Sequence, residues 1–253
     1  MMNPRVLFLS GFLAAALAAA RAGAGETLAE RLLAAYDGVQ SVACRIHKET
    51  TVGGRSVATL SRVFYQRPDR LHVDNYAPVR RTIVCDGTNF ASYAQGDPRG
   101  FSRPVEKLDE DMLFQLRKVP GTAMDHLFKL RGLAETNLPP EGFAERKGYD
   151  AGRVFVVLCA DATGRLARVE FYATPSLRDR TAVYDYSDFA AAAPGVWIPR
   201  RHEGRFRVGG AESAETVRVE RLAVNEPIAP GLFRLANFFE DVRFVDRFED
   251  IYR

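Results

Sequence analysis

The sequence predicts a mainly β (α+β) fold: a single curled antiparallel sheet, one helix ahead of it, and a pair of short helices inserted midway. Three observations predict it. Val-, Ile-, Tyr-, Phe- and Thr-rich segments with a period of two recur about every ten residues, with turn residues between them. One acid-opened amphipathic stretch interrupts that series. The chain has 253 residues, 47% of them apolar, enough for a sizeable core and too many for a disordered chain. Roughly eleven such strands, with no second composition regime, argue for one domain. A sheet of that width twists and must curl, which leaves a concave apolar face for the inserted helices to cover.

Residues 1–24 read as a signal peptide. Arg5 supplies the positive start, Val6 to Ala20 is almost wholly apolar, and Ala22-Gly23-Ala24 offers small residues for cleavage before Gly25. The apolar run falls short of the ~20 residues a permanent span needs, so an uncleaved anchor is the rival reading. No cysteine lies near the cleavage point to accept a lipid. No later window is apolar enough to cross a membrane. The expectation is an exported, soluble domain over 25–253, periplasmic in a bacterium.

Thr27-Leu28-Ala29-Glu30 forms a capping box and predicts a helix over about 27–37, stopped by Gly38. Strands follow at 42–52, 56–66, 70–76, 80–85 and 89–94, separated by turns such as Gly53-Gly54, Pro68-Asp69 and Asp86-Gly87. The meander breaks at Pro104. Asp109, Glu110 and Asp111 then open a helix that Arg117 and Lys118 close, both favourable to its dipole. Leu108, Met112 and Leu116 share one face. A second short helix runs from Thr122, with Met124, Leu127 and Phe128 on one side, to Gly132, so the insertion spans about 106–132. Strands resume near Phe143 and at 152–159, 165–173, 181–189, 196–208 and 214–225. The Ala190 to Ala193 run with Pro194-Gly195 reads as a loop. The tail from Asn237 to Arg253 alternates aromatics with charges and fits either a helix face or a strand followed by loop.

Function classes narrow quickly. The 35 Lys and Arg against 32 Asp and Glu are scattered, and Arg5 and Arg21 of the leader carry most of the +3 excess, so no nucleic-acid partner is indicated. The three cysteines, Cys44, Cys85 and Cys159, sit in apolar strand-like runs. An oxidising compartment permits one disulfide and a spare thiol, but the setting favours small buried hydrophobes. His47, His72, His126 and His202 form no metal-ligand pair, so neither metal nor cofactor is called for. No nucleophile-elbow or phosphate-loop motif is present. His72 and Asp74 lie two apart on one strand face and read as a solvent-facing pair; Asp125-His126 reads as the solvated side of the second inserted helix. A hydrolase using His72 or His202 is the competing reading from another class.

The stretch Phe64-Tyr65-Gln66-Arg67-Pro68-Asp69-Arg70-Leu71, followed by Asp86-Gly87 and the aromatic strand Phe90-Ala91-Ser92-Tyr93, resembles the outer-membrane lipoprotein carrier (LolA-like) family. Val196-Trp197-Ile198-Pro199 and Val224-Asn225-Glu226-Pro227-Ile228 fit the wider superfamily. The resemblance implies an incomplete β-barrel under a helical lid, holding acyl chains in its cavity without catalysis. It implies that Arg67 latches sheet to lid, although by itself Arg67 reads as a solvated strand-end residue. Leu71, Val73, Ile83 and Tyr93 correspond to cavity positions, with Met112, Leu116, Leu127 and Phe128 on the lid. On residue pattern alone, the inserted helices serve equally well as core helices covering a sheet. The implied function is a monomeric periplasmic carrier of acylated lipoproteins or lipids between membrane-bound donor and acceptor proteins. A related lid-and-half-barrel protein that senses envelope lipids is the alternative. Leu71 and Val73 stand where the family has bulky aromatics, and the cysteines and the tail depart from its pattern.

Overall fold

A computed structural model describes residues 25–193 and 195–252; the leader lies outside the described residues. Helix α1 (Leu28–Ala35) opens with the capping box: the Thr27 hydroxyl accepts from the Glu30 amide (3.3 Å) and the Glu30 carboxylate accepts from the Thr27 amide (3.0 Å). Strands β1 (Ser41–Val52), β2 (Arg55–Gln66), β3 (Arg70–Ala77), β4 (Arg81–Asp86), β5 (Asn89–Ala94) and β6 (Gly100–Pro104) form one meander. A second comprises β7 (Glu135–Asn137), β8 (Glu145–Asp150), β9 (Phe155–Ala160), β10 (Leu166–Tyr172), β11 (Arg180–Ala193), β12 (Val196–Val208) and β13 (Ala211–Val224).

The first strand of the first meander pairs antiparallel with the last of the second, Ile46 opposite Val219. Asn225 pins this seam. Its side-chain oxygen accepts from the Gln40 amide (2.7 Å), and its NH2 donates to the Gly38 carbonyl (3.0 Å). With the two-residue β14 (Phe244–Val245), which adds parallel to β6, the result is one curled sheet of 14 strands.

Strand order explains the lid. β6 lies near one edge and β7 at the other, so the chain between them must cross a face of the sheet. That crossing contains α2 (Glu110–Arg117), capped by the Asp109 carboxylate accepting from the Met112 amide (2.8 Å), and α3 (Met124–Phe128). Fully buried Leu28, Leu127 and Leu130 pack against Val42, Leu158, Val169 and Ile198 of the inner face. The fully buried Leu116 joins Cys85, Val105 and Leu108 in a second cluster below α2. Gly121, at φ +76°, lies flat on the inner face, where a Cβ would meet Val219 Cγ2 at 2.9 Å.

Several expectations are corrected. Gly100–Pro104 and Glu135–Asn137 are strands, short ones whose alternation is too brief to read. Ala190 to Ala193 belongs to β11, because the bulky partner strand extends the ladder: Ala190 faces Ile198 and Ala191 faces Trp197. The strand expected near Phe143 begins at Glu145, and the second inserted helix occupies only Met124–Phe128 before turning. The tail resolves into short 3-10 turns and β14, with Phe238, Phe239 and Val242 packed on Val84 and Ala91 of the outer face.

That last contact overturns the solvent-facing reading of His72. Its side chain is fully buried, 4.3 Å between ring centroids from Phe238, with Nε2 3.1 Å from the Asp74 carboxylate. His126 is likewise not on a solvated side. Its ring packs on Tyr184 (4.8 Å) and Phe171 (5.3 Å) of the inner face, while its neighbour Asp125 pairs with Lys118 (2.8 Å).

Candidate ligand-binding cavity

Between the inner face and the lid lies a cavity of about 490 Å³. Alternation along the strands decides its lining, since every second residue faces inward. Ile46, Val63, Leu71 and Val73 from β1, β2 and β3 give one end its apolar wall. Tyr184, Tyr186, His202 and Glu215 from β11, β12 and β13 give the other end polar groups, with His126 closing it from α3. Pocket sites of this kind combine an apolar body with few convergent polar groups.

The polar end is uncharged apart from matched pairs. Burial pushes both His126 and His202 down to about 4, so both imidazoles are neutral near pH 7. Glu215 pairs with Lys48 at 2.5 Å, and Asp125 with Lys118. His202 Nε2 is buried without a hydrogen-bond partner. Burial raises the Tyr184 and Tyr186 hydroxyls.

A second concavity, about 510 Å³, lies outside the lid, between α1 and the two inserted helices. Leu33, Asp37, Arg67, Leu113, Phe114 and Phe128 line it, the two Phe rings stacked at 4.4 Å. The two concavities are about equally open and differ in place: this groove lies on the lid's outer side, whereas the smaller cavity sits on the inner face that the topology makes the lid cross.

The expected site residues divide accordingly. Leu71 and Val73 line the cavity, and Ile83 stands opposite Val73 on the same inner face. Leu116 and Leu127 are fully buried under the lid helices, Met112 beside Leu116. Phe128 faces the outer groove. Tyr93 is a correction: it packs with Val84 and Phe239 on the outer face, because one residue's offset along β5 reverses its direction.

Arg67 contacts the end of α1 rather than the inserted helices, donating to the Tyr36 carbonyl (3.0 Å) near Asp37 (3.7 Å). The sheet–lid tie is made two residues either side of it. The Tyr65 hydroxyl donates to the Arg117 carbonyl (2.8 Å), and Arg117 Nε donates to Asp69 (2.6 Å). The sequence names His202 only as a hydrolase candidate and His126 only as a solvated helix residue, and does not join them as the polar end of a cavity. The alternation of Tyr184 and Tyr186 along β11 was the signal available.

The three cysteines are buried and unbonded, their thiols pushed up to about 12 for Cys44 and about 11 for Cys85 and Cys159 by burial. No cluster of three or more metal-ligating side chains occurs among the described residues. No described helix is long and apolar enough to cross a membrane.

No family model matches the sequence, and no curated protein does. Solved structures do resemble it. An outer membrane lipoprotein-sorting protein domain from Vibrio parahaemolyticus aligns at TM-score 0.52 and 10% identity, over 82% of this chain and 94% of that one. The fold is LolA-like. A LolA superfamily protein from Nitrosomonas europaea aligns at 0.49 and 12% identity (83% and 97% covered), and a DUF1329 family protein from Desulfovibrio piger at 0.49 and 13% (83% and 95%). At 10% identity, the likeness to the Vibrio parahaemolyticus domain speaks of the fold alone.

Proposed function

We propose that this chain is a periplasmic, non-enzymatic carrier that shelters the acyl chains of lipoproteins beneath its lid and passes them from a membrane-bound donor to a membrane-bound acceptor. The observation that carries the reading is the cavity between the inner face and the crossing helices, with Ile46, Val63, Leu71 and Val73 as its apolar wall. Transfer of each methylene from water to such a wall contributes roughly 0.8 kcal/mol, so a chain of ~14 methylenes gains on the order of 10 kcal/mol before ordering costs. The LolA-like fold supports the same reading.

Mass spectrometry of the apolar material that co-purifies with the protein tests it. An acylated lipoprotein is expected; a free lipid unconnected with lipoproteins would count against the sorting role. Asp69→Ala removes the side-chain tie from Arg117 that joins the sheet to the first inserted helix. With closure weakened, the variant is expected to retain bound acyl chains and hand off less to an acceptor. Release as ready as that of the unsubstituted protein would sink the reading of that tie as a lid latch.

A further inference from the structure

The cavity is not uniformly greasy, and its polarity changes along one direction. Across the sheet from β3 through β1 to β11, the inward residues run from Leu71 and Val73, through Ile46 and Lys48, to Tyr184, Tyr186 and His202. A cavity that only had to hold hydrocarbon would gain nothing from two imidazoles, and a buried imidazole nitrogen without a partner is costly because it has given up its hydration. His202 Nε2 is such an atom.

We propose that this end of the cavity is a headgroup site that selects an uncharged, hydrogen-bonding group (ester, amide or hydroxyl) at the end of a single alkyl chain, with His202 and His126 as its reading residues. This rests on the cavity being an acyl-chain site, as proposed above. The argument for an uncharged group is electrostatic. The charged groups facing the site are Lys48, Glu215, Lys118 and Asp125, and they form two opposite-sign pairs. A carboxylate or ammonium would enter without a counter-charge of its own and lose hydration uncompensated. A neutral ester or hydroxyl meets no such cost, and a neutral imidazole offers it one donor and one acceptor. His126 on the lid and His202 on the sheet approach from opposite walls, so occupancy by such a headgroup would join lid and sheet.

The test is competition against N-phenyl-1-naphthylamine bound to the full exported protein near neutral pH. The competitors share one chain length: monopalmitoylglycerol, palmitate and hexadecyltrimethylammonium. Monopalmitoylglycerol is expected to displace the dye at a concentration about tenfold or more below the other two, a difference of roughly 1.4 kcal/mol. His202→Leu is expected to erase that preference, read as the ratio of the three competitors' displacing concentrations against the same variant's own dye affinity. His126→Leu, on the other wall, is expected to do the same and serves if His202→Leu does not fold. Val73→Trp, which fills the apolar end, is expected to weaken all three competitors together.

Equal displacement by the three competitors, or a preference for palmitate, overturns the headgroup site and leaves the acyl-chain cavity standing. Failure of every competitor to displace the dye overturns the acyl-chain cavity itself, and the headgroup site with it.

Discussion

The sheet is covered on both faces by its own chain, and the two covers are built differently. On the inner face, the crossing helices meet the sheet through Val119, Leu127 and Leu130 but leave a cavity ending at His126 and His202. On the outer face, the C-terminal segment lays Phe238 and Phe239 directly on His72, Val84 and Ala91, all fully buried. Both faces hold a histidine near aromatic rings. Each leaves one buried ring nitrogen without a partner, Nδ1 in His72 and Nε2 in His202. They differ in surroundings: His72 Nε2 meets the Asp74 carboxylate and its ring is sealed under Phe238, whereas His202 borders the open volume of the inner cavity, where an entering group could reach it.

The largest expected effect breaks the outer cover. Phe239→Ala empties the space above Val84 and Ala91 and should cost about 3–5 kcal/mol in urea unfolding, with little change in dye binding to the inner cavity. A loss of dye binding as large as the loss of stability would show that the covers are not independent.

Acid should act next, and on the inner cover. His126 and His202 are depressed in the folded protein relative to their ordinary value, so the unfolded chain takes up more protons between about pH 6.5 and 4. The stability they contribute is fully present above pH 6.5 and is lost as pH falls toward 4, on the order of 2 kcal/mol each. Unfolding measured across that range should steepen with acid, and His202→Leu should flatten it.

The two glycines that let the covers lie close sharpen the contrast further. Alanine at Gly121 would strain a positive φ and press on Val219, lifting the lid at a cost of about 1–3 kcal/mol. Alanine at Gly100 meets the half-exposed Phe244 ring at 2.6 Å, which can swing aside, and Val242 Cγ1 at 2.9 Å, which is stiffer, so the penalty should be about 1–2 kcal/mol. Amide hydrogen exchange should localise the first change to residues near 119–126 and the second to β14. Smallest is Tyr65→Phe, which removes one hydrogen bond to the Arg117 carbonyl and should cost about 1 kcal/mol, measured by thermal unfolding.

Most of the first meander was legible because its strands are long and bounded by Gly-Gly, Pro-Asp and Asp-Gly turns. The expected 56–66 is Arg55–Gln66 in the fold, and 89–94 is Asn89–Ala94. The helix starts were legible because capping is local chemistry, at Thr27 and at Asp109. What escaped depends on partners distant in sequence. Ala190 to Ala193 is a strand only because β12 lies beside it, and His72 is buried only because residue 238 folds back over it. The cavity was half legible. Leu71 and Val73 came through family resemblance, but Tyr93 landed on the wrong face, and the polar end needed β11, β12 and β13 brought together with α3.

An open sheet, unlike a closed barrel, has two ends, and here the end strands are three and two residues long: Glu135–Asn137 and Phe244–Val245. An unpaired edge is a template on which another chain can add a strand, and the danger grows with its length. With fourteen strands among the described residues and end strands this short, the sheet keeps an apolar cavity on its inner face while offering neighbouring copies only short stretches of backbone on which to start an aggregate.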